Sequence, residues 1–134
     1  MTLLEVRNVA VSIARPAEDV YRFASDGAHL PRWASGLGES VRREEGAWIA
    51  DGPLGRIVVR FAPTNGFGVL DHDVTLPTGE TVHNPMRVVP NGGGCTVTFT
   101  LLRQPGVSAE KFAEDARWVE RDLRRLKQLL EAAV

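Results

Sequence analysis

A chain of 134 residues with 43% hydrophobic and 25% charged residues has the composition of a globular domain able to bury a core without staples. Its net charge of −1, with arginines interleaved among acids, excludes the clustered basic excess of a nucleic-acid binder. The lone cysteine, Cys95, excludes an intramolecular disulfide, and no run approaches the ~18 apolar residues of a membrane span.

The first residues, Met1 to Arg7, lack the basic-then-apolar order of a signal peptide, so the cytoplasm is the expected location. Residues 3–14 read as a strand, with Val9, Val11 and Ile13 alternating. Pro16 suits a first helical turn, and residues 17–24 form a short helix with Val20, Phe23 and Ala24 on one side. Asp26 caps a second short helix that Pro31 interrupts and that ends near Trp33; Gly36 and Gly38 then break the chain. Strands are predicted over 39–44, 47–51, 55–62, 67–76, 80–90 and 93–103, separated by turn-forming residues. Ser108 caps a long helix over 109–132, with an apolar stripe of Phe112, Ala116, Val119, Leu123, Leu126 and Leu130. Early acids and late bases suit its dipole. The order predicts one α+β domain over 1–134, with a helix across one face of a curved antiparallel sheet.

Turn chemistry sets three hairpin registers. A three-residue loop at Pro77-Thr78-Gly79 places His72 opposite Asn84 and Leu70 opposite Met86. A two-residue turn at Asn91-Gly92 places Val88 opposite Cys95, Met86 opposite Val97 and Asn84 opposite Phe99. A four-residue turn over 63–66 places Val59 opposite Leu70 and Ile57 opposite His72. All three gather apolar residues on one face, and a one-residue slip in any of them breaks the agreement. His72 and Asn84 are then two uncharged polar residues in an apolar face directed at the long helix. Asp71, Asp73 and His83 fall on the wetter face, with Asp73 paired to His83.

The stretches Val11-Ser12-Ile13-Ala14-Arg15-Pro16-Ala17-Glu18-Asp19-Val20-Tyr21, Leu30-Pro31-Arg32-Trp33 and Phe99-Thr100-Leu101-Leu102 through Trp118 to Lys127 carry a resemblance. Nearly the whole chain resembles the START-like helix-grip superfamily (SRPBCC), in particular its polyketide cyclase/dehydrase-like members. The resemblance implies a curved sheet of about seven strands wrapped around the long C-terminal helix, with two short helices after the first strand. It implies that the first strand returns beside the last, and that a cavity lies between sheet and helix. It carries no catalytic motif onto named positions, and fold does not settle function.

The leading expectation is a cavity that binds a small hydrophobic or aromatic, polyketide- or lipid-like molecule. Trp33, Ile57, Val59, Phe61, Leu70, Met86, Val97 and Phe99 supply apolar surface, and His72 and Asn84 read polar groups. The alternative is a cyclase or dehydratase with His72 as acid/base and Asn84 holding an oxygen; against it stands a neutral core histidine that is simply paired. A third reading is an Aha-like protein-interaction module. No cofactor or membrane insertion is expected, and no metal either, because Asp73 with His83 makes a surface pair and not the three or four convergent ligands a metal needs. Cys95 reads as a small buried hydrophobe. Trp33 reads as a wall or lip of the cavity, and Trp118 as a seal between helix and sheet. Trp48 is open between cavity and packing, and Glu120-Arg121-Asp122 reads as a solvated charged face.

Overall fold

In the computed structural model, the first strand β1 (Val6–Ile13) lies antiparallel to the last, β8 (Gly94–Leu102), pairing Val9 with Phe99 and Ile13 with Cys95. Residues 2–132 are described; Met1, Ala133 and Val134, the ends of the expected 1–134 domain, lie outside the described residues. Between the two strands come α1 (Ala17–Ala24), a single 3-10 turn (Gly27–His29) and α2 (Leu30–Trp33), then six further strands. These are β2 (Arg42–Glu44), β3 (Ala47–Gly52), β4 (Gly55–Phe61), β5 (His72–Thr75), β6 (Thr81–Asn84) and β7 (Met86–Asn91). The chain closes on α3 (Ala109–Ala132). This is the α+β helix-grip architecture that the sequence predicts.

Strands run in the orders β1-β8-β7 and β2-β3-β4-β5-β6, and the two arrays meet at Pro85. The expected continuous strand over 80–90 is two strands, because Pro85 has no N–H to give to a ladder. Around it the backbone is satisfied by other means. The Met86 N–H donates to the Asp71 carboxylate at 2.9 Å, and the Thr100 N–H donates to the Pro85 carbonyl at 2.9 Å. Leu70 N–H to Met86 O at 2.8 Å carries the sheet across the bend.

One register stands as predicted: His72 faces Asn84, Asp73 faces His83 and Val74 faces Val82. Two are shifted by even steps. In the β7–β8 hairpin Asn91 pairs with Gly94, so Gly92-Gly93 makes the turn, Val88 faces Val97 and Met86 faces Phe99. Gly92 takes the positive φ of 57° that the turn needs, and Asn91 is held in the strand by a 3.1 Å bond from its amide to Thr96 Oγ1. In the β4–β5 connection Phe61, not Ile57, faces His72, and Val59 faces Val74. The expected tight turn is a wider loop stitched by Asn65. Its amide N–H groups reach Pro63 O and Val69 O at 3.0 Å, and its Oδ1 accepts from Phe67 N at 3.0 Å and Val69 N at 3.1 Å. An even shift leaves every side chain on its own face, so the apolar face survives both corrections.

Helix α3 begins at Ser108, whose hydroxyl accepts the Lys111 N–H at 3.1 Å. Phe112, Ala116, Leu123, Leu126 and Leu130 are buried, each leucine contributing ~2 kcal/mol of burial. The end of the helix is tied to the β1–α1 corner. Lys127 Nζ donates to Ser12 O at 2.7 Å, Arg15 to Leu130 O at 2.7 Å, and Ala14 N–H to Glu131 at 2.9 Å. No described helix is long and apolar enough to cross a membrane.

Candidate functional site

The apolar face of the sheet, the middle of α3 and the segment around α2 enclose a space. There Val59 and Phe61 of β4, His72 and Val74 of β5, Asn84 of β6 and Phe99 of β8 form one wall of a cavity of about 250 Å³. Leu30, Trp33, Ala34, Ser35 and Leu37 form a second wall, and Trp118, Val119, Asp122 and Leu123 of α3 close it.

The two titratable groups in this cavity, His72 and Asp122, have defined surroundings. His72 Nδ1 lies 2.9 Å from the Leu70 carbonyl, an acceptor only, so Nδ1 carries the proton and Nε2 of the neutral ring is a bare acceptor. The imidazole sits between Phe61, with ring centroids 5.5 Å apart, and Phe99 at 5.9 Å in an edge arrangement. Burial lowers its pKa below the ordinary 6.5, against the opposing pull of the Leu70 carbonyl and of Asp71. Among the described residues no hydrogen bond joins the side chains of His72 and Asn84, although they face each other; the Leu70 carbonyl is the partner of His72.

Asp122 is the residue that sequence reasoning missed. Read as part of a solvated charged face, it instead borders the cavity, and His72 therefore shares the cavity with a carboxyl group. Its Oδ1 accepts the Ser35 hydroxyl at 2.6 Å and the Ser35 N–H at 3.2 Å. Burial pushes its pKa up to about 6, against the lowering effect of the two Ser35 bonds and of Arg121. A signal was present in the spacing: Asp122 is four residues after Trp118, three after Val119 and four before Leu126, flanking the apolar stripe.

Of the ten residues expected to bind ligand, Trp33, Val59, Phe61, His72, Asn84 and Phe99 line this cavity together. Ile57, Leu70, Met86 and Val97, each 3% exposed or less, do not border it. They lie in the solid core, since the register that placed Ile57 beside His72 is replaced by one that places Phe61 there, and α1 packs across β7 and β8. Trp33 is 7% exposed, and its indole N–H is buried without a hydrogen-bond partner among the described residues. Trp118 stands at the mouth, 37% exposed, with the Arg121 guanidinium 5.1 Å from its ring. Trp48 does not line the cavity; its ring packs so closely on Gly27 that a Cβ there would overlap it. Cys95 is buried, and burial raises its thiol pKa. On the outer face His83 pairs with Asp73 at 2.6 Å, and Asp71 forms a two-point ion pair with Arg87 at 2.8 and 2.9 Å, which holds its carboxyl below the usual range. A larger groove of about 570 Å³ runs between α1 and the 62–71 loop, but none of the ten residues borders it.

The sequence model of the family described as polyketide cyclase / dehydrase and lipid transport matches residues 6–134. The chain belongs to this family. Its fold is shared by solved structures at low identity. The protein XoxI from Bacillus cereus is 15% identical with a TM-score of 0.74, over 94% of this chain and 95% of that one. Ara h 8.0201 is 13% identical with a TM-score of 0.73, over 96% and 99%. DR_A0006 from Deinococcus radiodurans is 22% identical with a TM-score of 0.65, over 97% and 100%. At these identities the likeness of this polyketide cyclase/dehydrase family member to them is one of fold. No curated protein sequence gives a significant match.

Proposed function

We propose that the protein binds a small hydrophobic or aromatic molecule in the cavity between β4, β5, β6 and α3. The observation that carries this reading is the cavity itself: apolar and aromatic walls with a few convergent polar groups, the usual make-up of a ligand site. Its volume of about 250 Å³ exceeds the ~150 Å³ that admits benzene in an engineered core, so it suits a ligand of one or two fused rings. Titration with naphthalene-2-methanol, followed by tryptophan fluorescence, should saturate. Val74→Trp, which fills the cavity, should abolish binding while far-ultraviolet circular dichroism is retained. Unsaturable binding, or binding undiminished in Val74→Trp, counts against the reading.

A second reading is favoured by one observation: neutral His72 and the Asp122 carboxyl line the same cavity. His72 Nε2 would take a proton from carbon next to a carbonyl, and protonated Asp122 would give one to a departing hydroxyl, as a dehydratase or cyclase requires. Full turnover in His72→Gln removes it.

A further inference from the structure

Asp122 lies on a helix rich in cations, yet it pairs with none of them. Arg121 stacks on Trp118 at 5.1 Å and attracts Asp122 without forming an ion pair with it, Arg124 binds Glu120 at 2.8 Å, and Arg125 Nε donates to Arg32 O at 3.3 Å. Other carboxylates along the chain do find a cation: Asp19 with Arg15, Asp71 with Arg87, Asp115 with Lys111 and Glu131 with Lys127. Both hydrogen bonds that Asp122 accepts fall on Oδ1 and come from Ser35, so the carboxylate is fixed in place while no donor of the described residues meets Oδ2. No Lys or Arg lines the cavity. His72, the other titratable group there, is held neutral by burial at neutral pH, so the cavity's one charge is negative. Around that charge stand Trp33, Trp118, Phe61 and Phe99, and aromatic faces attract a cation.

We infer that the cavity selects an aromatic amine, one or two rings carrying a protonated nitrogen on a short tether, and that Asp122 is the residue that selects it. The inference rests on the ligand-binding reading above. The ammonium bonds to Asp122 Oδ2 near the mouth, and the rings lie among the aromatic walls. A ligand bearing a carboxylate or phosphate meets the same fixed charge with no Lys or Arg in the lining to offset it and is disfavoured.

The test is calorimetric titration at pH 7.5 with three probes of one shape: naphthalen-2-ylmethylamine, naphthalene-2-methanol and 2-naphthoic acid. The amine should bind about 10-fold more tightly than the alcohol, the equivalent of one charge-assisted hydrogen bond, and the acid more weakly than both. In Asp122→Asn, which retains the acceptor for Ser35, the amine's advantage should fall to within about two-fold. Equal affinities of amine and alcohol for the unaltered protein overturn the inference and leave the ligand-binding reading standing. So does an amine preference that survives in Asp122→Asn. If none of the three binds, the ligand-binding reading fails and the inference fails with it.

Discussion

Replacing Asp122 by asparagine removes a carboxylate that burial disfavours while keeping an oxygen for Ser35 to bond, so the variant should be more stable than the protein it replaces. The folded chain holds the Asp122 proton up to about pH 6, whereas an unburied aspartate releases it at 3.8. Between those values the folded state binds more protons than the unfolded one. Stability therefore falls as pH rises through the window, and the cost is complete above about pH 6. At ~1.4 kcal/mol per pH unit, a rise of that size corresponds to ~3 kcal/mol; solvent screening of a side chain that remains partly exposed reduces it to ~1–2 kcal/mol. Urea unfolding at pH 4.5 and pH 7.5 measures it. Asp122→Asn should gain ~1–2 kcal/mol at pH 7.5 and distinctly less at pH 4.5. A gain independent of pH, or a loss at pH 7.5, would refute the reasoning.

His72 should titrate below 6.5, read from its ring-proton shift by NMR, because burial lowers its pKa. The folded state then binds this proton less readily than the unfolded chain, so its contribution to stability is lost as pH falls below 6.5; a midpoint at or above 6.5 contradicts the buried neutral ring. Gly68→Ala should lose more than ~2 kcal/mol in denaturant unfolding, since Gly68 has a φ of 72° and an added Cβ would run into the Val88 carbonyl. A loss below ~0.5 kcal/mol would mean that the 62–71 loop does not pack on β7 as described.

In the hairpins from residue 55 onward the face of a strand residue was legible in the sequence, while the face of Trp48 was left open; the partner was less legible than the face. Alternation fixes parity, and parity alone places His72 inward with Phe61 and Val59, and Asp73 outward with His83. Partner choice depends on where a turn sits, and there local composition competes with longer-range contacts. Asn91-Gly92 is a good two-residue turn in isolation, but Asn91 bonds Thr96 and remains in the strand. An alanine at Gly94 would collide with the Ile13 carbonyl of β1, a contact no hairpin rule contains. The 63–66 segment has turn composition, yet the four side-chain bonds of Asn65 gather backbone from Pro63 to Val69 into a wider loop. Asp122 was hidden for a different reason. A carboxylate among arginines on a helix reads as a solvated face, and only the loop after α2, bringing Ser35 against it, turns it into a wall of the cavity.

The central claim is that a small aromatic molecule occupies the space beside Trp33. The most direct measurement is the indole N–H resonance of Trp33 in a nitrogen–proton correlation spectrum during titration with naphthalene-2-methanol. The account predicts a saturable shift at Trp33, with Trp48, which packs on Gly27 outside the cavity, left in place. An unmoved Trp33 resonance, or a saturable shift at Trp48 alone, would contradict it.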